Sequence, residues 1–226
     1  MRGIIFDLDD TLYRRADFVR SGFDAIARYV SHSWRCDGDA AYATLIAAHA
    51  DGRKGREFQA LCQEHRLPQS LVSTLTKVFR RHQPALELDA GVGQMLEIFR
   101  RDGWRLAVLT NGAPDVQRRK VAALGLEPLV DAVIYAEEHA LGGKPHPAAF
   151  HAALERLGVP ASRCLCIGDD PVCDIAGARS RGLRTIRMMV PGASPTLSVE
   201  ADAVAASIAE LPAHARALVT ETPHAA

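Results

Sequence analysis

Gly3-Ile4-Ile5-Phe6-Asp7-Leu8-Asp9-Asp10-Thr11-Leu12 runs from β-forming apolar residues straight into three carboxylates and a threonine. A strand buried on both faces reads as a near-continuous apolar run, and this one delivers acids at its end. Side chains alternate along a strand, so Asp7 and Asp9 leave the backbone on one side and Leu8 on the other. In open parallel sheets, ligands bind beyond the carboxyl ends of the strands. One such Asp is equally well explained by a turn or a helix cap. Three together repel one another unless a cation or a shared proton compensates. Oxygen-only ligands favour Mg²⁺. The stretch by itself leaves the turn and the metal-assisted site both open.

Outward from this strand the texture changes twice. Phe18, Phe23, Ile26, Tyr29 and Val30 recur at helical spacing through about Trp34. Helices are predicted over 40–50, 57–65 and 68–81, with a basic, glycine-bearing loop at Asp51-Gly52-Arg53-Lys54-Gly55-Arg56. From Pro84 strands and helices alternate: helix 92–101, strand 104–109, helix 114–124, strand 131–135, helix 147–157, strand 164–167, helix 175–181 and strand 184–189. That alternation predicts an α/β fold with a parallel, doubly wound sheet. The expected organisation is a core of residues 1–12 and 84–226, with an all-helical insertion over 13–83.

The 226 residues suit one large domain or a core with a smaller insert. Lys+Arg and Asp+Glu both number 27, so no net charge argues for nucleic acid or an anionic membrane. No apolar run approaches a membrane span, and Asp7, Asp9 and Asp10 interrupt what a signal peptide would keep apolar. The five cysteines are odd in number, scattered, and lack zinc-site pairing. A cytoplasmic protein is the expectation. Cys164 and Cys166, two apart in a strand, are expected to share a buried face as small hydrophobes.

Polar residues gather where the strands end. The first strand ends in Asp7, Asp9 and Thr11, the second in Thr110 and Asn111, and a later one in Asp169 and Asp170, with Asp174 beyond. Between them lies Gly142-Gly143-Lys144-Pro145-His146-Pro147. Each group alone has a bland reading: a strand-to-helix turn, a cap, or a solvated lysine. Together, at the expected ends of parallel strands, they point to one site.

The ordered set Asp7-Leu8-Asp9-Asp10-Thr11, Thr110-Asn111, Lys144 before Pro145, and Gly168-Asp169 with Asp174 resembles the haloacid dehalogenase superfamily, in its phosphatase branch. The resemblance covers essentially the whole chain. It implies a Rossmann-like core, and it makes the helical insert similar to the cap of the superfamily's first subgroup. It implies that Asp7 is the nucleophile and forms an aspartyl-phosphate, and that Asp9 is the acid and base. It implies that Asp7, the Asp9 main-chain carbonyl and Asp169 hold Mg²⁺. Thr110, Asn111 and Lys144 would bind the phosphoryl group, with Asp174, or else Asp170, in support. Asp9 separates chemistries, since members that cleave carbon–halogen bonds typically lack it. Crowding by carboxylates is expected to raise the Asp9 pKa toward neutrality.

The substrate expected from the resemblance is a small phosphate ester, with Arg53 and Lys54 of the insert as contacts to a second anionic group. A phosphoryl-transferring mutase and a non-catalytic phosphate-binding regulator stay open beside the phosphatase. The chain is expected to act without nucleic acid or membrane partners, as a monomer or homodimer.

Overall fold

The structure is a computed structural model and describes residues 1–52, 55–139, 142–190 and 199–220. Its residues form two compact units, Met1–Arg14 with Glu87–Ala226, and Arg15–Leu86.

In the first unit, six parallel strands form one sheet: β1 (Arg2–Phe6), β2 (Trp104–Thr110), β3 (Ala132–Tyr135), β4 (Cys164–Gly168), β5 (Arg184–Met188) and β6 (Ala203–Ala205). They lie in the order β3-β2-β1-β4-β5-β6. β1 is therefore central, and the strand order reverses beside it, at the boundary with β4. That is the switch point at which α/β sheets open a crevice. Ile4, Ile5 and Phe6 are fully buried, which explains why β1 shows no apolar–polar alternation. Each such burial contributes about 1.5–3 kcal/mol, so β1 is a rigid base for the acids that follow it. Phe6 pairs with Val108 of β2 and with Ile167 of β4. Asp7, Thr110 and Asp169 consequently emerge along one edge of the sheet. Ile5, Ala107, Leu109, Ile134, Phe150, Cys164 and Cys166 belong to the apolar cluster on one face. The two cysteines are buried there, as their spacing predicts.

The second unit is helical: α1 (Arg15–Trp34), α2 (Gly38–Ala50), α3 (Glu57–Glu64) and α4 (Val72–Arg81). Phe23, Ile26, Ala27 and Val30 of α1 join Ala41, Leu45, Leu61, Cys62 and Leu75 in a separate core. The remaining helices, α5 (Ala90–Arg101), α6 (Pro114–Ala123), α7 (Pro147–Leu157), the short turn α8 (Gly177–Arg179) and α9 (Leu211–Thr220), belong to the first unit.

Three local expectations are corrected. The segment predicted as one helix over 68–81 is a 3₁₀ turn, Gln69–Leu71, before α4. The helix expected from Ile175 begins earlier, as a π-helical turn Pro171–Ala176 running into α8. Asp170 caps it by accepting from the Val172 and Cys173 N–H groups, with Pro171 in the first turn, where its missing N–H costs nothing. The strand β6 and helix α9 were not anticipated. Among the described residues no helix is long and apolar enough to cross a membrane.

Candidate active site

Asp7 still belongs to the sheet, since its N–H donates to the Ile167 carbonyl at 2.8 Å. The chain then reverses, with the Leu12 N–H returning to Leu8 O at 3.0 Å. Asp10 takes a left-handed φ of 60° in this turn, a conformation that Asp tolerates better than most residues. The reversal directs Asp7 and Asp9 to different partners.

Asp7 meets Lys144. The ammonium donates to Asp7 Oδ1 at 2.5 Å and to Asp174 Oδ1 at 2.7 Å. All three side chains are buried. Burial disfavours the Lys144 ammonium, but Asp7 and Asp174 outweigh burial and hold its pKa well above the ordinary value. Burial pushes Asp7 up to about 7, with Lys144 pulling the other way and Asp174 and Asp9 adding to the rise. Asp174 Oδ2 accepts from the Asp170 N–H at 3.1 Å. The Asp170 carboxylate is engaged as the cap described above, so Asp174 is the acid that orients Lys144.

Asn111 pins Lys144 from its backbone. Its side-chain amide donates to Lys144 O at 2.9 Å, and the Lys144 N–H donates to Asn111 Oδ1 at 2.7 Å. Gly143 permits this approach. It has φ +64°, and a Cβ there would lie 2.4 Å from Asn111 Oδ1.

Asp9 has a separate set of partners. Lys120 Nζ donates to its two carboxylate oxygens at 2.7 and 2.8 Å. Gln117 Nε2 donates to Oδ2 at 2.9 Å and also to Thr110 Oγ1 at 2.5 Å. The Tyr13 hydroxyl donates to Oδ1. Burial raises the Asp9 pKa, but Lys120, with Tyr13 and Gln117, brings it below the ordinary value. The expectation of a raised Asp9 pKa is therefore corrected: a lysine on α6 overrides the crowding of carboxylates.

Asp7, Asp169 and Asp174 each offer an oxygen within 4.8 Å of the others. Burial, with Asp174 and Asp10, pushes Asp169 up to about 6. Three clustered acids, two of them bonded to one ammonium, leave excess negative charge, and the donors are all hard oxygens. That set fits a hard divalent cation rather than zinc or copper.

Residues 1–182 match the sequence model of the haloacid dehalogenase-like hydrolases. The chain belongs to that family. Among curated relatives of this hydrolase is the glyceraldehyde 3-phosphate phosphatase of Methanocaldococcus jannaschii. It is 29% identical over 196 residues, covering 84% of this chain and 85% of the relative. The phosphoserine phosphatase of Thermus thermophilus is 34% identical over 160 residues, covering 68% of this chain and 64% of the relative. The fold matches the solved HAD-hydrolase YfnB of Bacillus subtilis, a magnesium-bound structure. The TM-score is 0.64 at 24% identity, covering 93% of this chain and 96% of that one.

The hydrolase thus brings Asp7, Lys144, Asp169 and Asp174 together and sets Asp9 with Thr110 beside Gln117 and Lys120. In the helical unit, Arg53 and Lys54 lie outside the described residues. His49, part of the same basic stretch, has a structural partner: its Nδ1 is 2.8 Å from Glu57 Oε1, and Glu57 Oε2 accepts from the Gly55 N–H at 2.7 Å. Sequence reasoning missed Lys120, Gln117 and Tyr13. The available signal was two long polar side chains three residues apart on a helix that starts at a strand end.

Proposed function

We propose that this hydrolase is a Mg²⁺-dependent cytoplasmic phosphatase that acts on a small phosphorylated metabolite through an aspartyl-phosphate on Asp7. The observation that carries the reading is the buried Asp7–Lys144–Asp174 contact, with a second carboxylate, Asp9, held apart two residues on. Phosphoryl transfer asks mainly for positioning and charge stabilisation, and these groups supply both.

In the first half-reaction an Asp7 oxygen forms a bond to phosphorus while the bond to the ester oxygen breaks. Asp9 gives the departing alkoxide a proton. In the second, water attacks the phosphorus of the aspartyl-phosphate, Asp9 takes its proton, and the bond to Asp7 breaks. Lys120, Tyr13 and Gln117 favour the ionised form of Asp9, which suits that second role. For the first it has to take up a proton once substrate is bound. Lys144, the Thr110 hydroxyl and the Asn111 N–H would meet the phosphoryl oxygens.

Asp7, Asp169 and the Asp9 main-chain carbonyl are the groups we assign to Mg²⁺. Both oxygens of Asp174 are already engaged, by Lys144 and by the Asp170 N–H. When bound, the cation would offset phosphoryl charge and favour ionised Asp7. Asp9 argues against carbon–halogen cleavage, which needs no proton for a leaving alkoxide. The helical unit, including Arg53 and Lys54, is the candidate for selecting the leaving group.

The test is phosphate release from a panel of sugar phosphates, phosphorylated amino acids, nucleoside monophosphates and triose phosphates, with Mg²⁺ and with chelator. Release from one class that stops on chelation supports the reading. Failure to release phosphate from any ester, with folded protein and Mg²⁺ present, sinks it.

Gly168 offers a local check. A Cβ there would lie 2.3 Å from Asp174 Oδ2 and 2.6 Å from its Cβ. Gly168→Ala therefore has to displace Asp174 and, through it, Lys144. Misplacing a catalytic group by ~1 Å can cost ~10²-fold, and a kcat loss of that order is expected with the circular dichroism spectrum retained. Wild-type kcat in this variant would show that the Asp174 contact is dispensable.

A further inference from the structure

Three side chains that donate to Asp9, those of Tyr13, Gln117 and Lys120, are left without a role by the two half-reactions. Gln117 and Lys120 stand three residues apart on α6, so their side chains leave one face of the helix. They are only 2% and 5% exposed, and long polar side chains are rarely that buried without a specific partner. Between them they engage both oxygens of Asp9, and Gln117 also reaches Thr110.

The donors and acceptors allow one arrangement. An ionised carboxylate only accepts, so Asp9 must face the nitrogen of the Gln117 amide. That nitrogen carries two protons, one for Asp9 and one for Thr110. At the Thr110 contact the hydroxyl oxygen therefore accepts. Its single proton is left to point elsewhere, toward whatever acceptor lies at the strand end. Within the chain that proton points to Asn111 O, a contact that is long at 3.5 Å and is readily exchanged for a charged oxygen.

We propose that Gln117 and Lys120 are positioning residues for this reaction. Gln117 makes Thr110 a donor to the phosphoryl group and ties it to Asp9, while Lys120 holds Asp9 where it takes the proton from water. The inference rests on the phosphatase reading for Asp7 and Asp9, and it adds that α6 couples the phosphoryl clamp to the acid–base group.

The test uses Gln117→Glu, Gln117→Met and Lys120→Met, read by steady-state kinetics, by calorimetric binding of inorganic phosphate with Mg²⁺, and by acid-quench trapping of phosphorylated Asp7. In Gln117→Glu the new carboxylate accepts the Thr110 proton and repels Asp9. Phosphate binding should weaken at least ~10-fold and kcat should fall ~10²-fold, as for the loss of an oxyanion donor. Gln117→Met keeps length without donors and should lose less of both. Lys120→Met should keep phosphate binding near wild type, lower kcat and KM together, and accumulate phosphorylated Asp7, because the second half-reaction becomes limiting. A role in packing alone would not trap that intermediate.

Wild-type kcat, KM and phosphate affinity in Gln117→Met and Lys120→Met would overturn the inference. So would losses that only follow loss of folded protein, with no trapped intermediate. The two readings fail separately. A wild type that hydrolyses no ester sinks the phosphatase, and the phosphate affinities of wild type and Gln117→Glu still read the Thr110 contact. Equal affinities then overturn the positioning role, and a wild type that binds no phosphate overturns both.

Discussion

Asp7→Asn is expected to lower kcat by at least ~10⁴-fold and, in metal-free protein near neutral pH, to raise the melting temperature. The activity loss follows from removing the atom that attacks phosphorus. The gain in stability follows from burial. Asp7 is pushed up from 3.8 to about 7 and Asp169 to about 6. A carboxyl whose folded pKa lies above its unfolded value holds a proton that the unfolded chain has already released. Its contribution to stability is therefore complete at low pH and is lost as pH rises through the folded pKa. For these two acids the loss runs from about pH 4 to about pH 7. Asparagine carries no charge at any pH, so the variant escapes the Asp7 share, and Lys144 keeps Asp174. Each kcal/mol recovered corresponds to ~2–4 °C in a chain of this size. Melting curves of wild type and variant in chelator, from pH 5 to pH 8, would show the wild type losing more stability across the range. A variant that is inactive but melts below wild type at pH 8 would mean that ionised Asp7 contributes more through Lys144 than burial costs it.

This opposition between stability and chemistry explains which parts of the site were legible in the sequence. Asp7, Thr110 and Asp169 sit at strand ends, Lys144 on a loop between strands, and Asp174 in the helical turn that follows β4. There an acid or lysine interrupts an apolar run, and the parallel sheet alone brings those ends together. Lys120 and Gln117 were hidden by their context. Gln117-Arg118-Arg119-Lys120 reads as the solvated face of a helix, yet Arg118 and Arg119 pair with Glu138 and Asp115 at the surface while their neighbours turn inward. A period of three or four is the same for a buried polar face as for an exposed one, so only the geometry separates them. Asp9 was misjudged for this reason: its acidic neighbours were visible in sequence, and its cation, 111 residues away, was not. Strand β6, Ala203-Val204-Ala205, is too short to show a period at all.

Lys144→Met is the variant expected to damage both fold and function. Lys144 is 3% exposed and is the ammonium between Asp7 and Asp174. Removing one partner of a buried pair costs about 3–5 kcal/mol, because the remaining charge is left without compensation. Two carboxylates are left here. For a chain of this length a fall of roughly 6–20 °C in melting temperature is expected, together with a kcat loss of at least ~10³-fold from the missing phosphoryl contact. The stability and the activity can be restored separately. Lys144→Met with Asp174→Asn removes a charge of each sign, so the double variant should melt much nearer wild type while kcat stays low. Mg²⁺ should raise the melting temperature of Lys144→Met by more than it raises that of wild type, because the cation then has more uncompensated negative charge to neutralise. Acidification should also narrow the gap, since a protonated Asp7 no longer needs a counter-charge. Recovery of kcat in the double variant would show that the phosphoryl group does not need Lys144. A single variant that melts with wild type in chelator would show that the buried carboxylates beside Lys144 do not depend on its charge for stability.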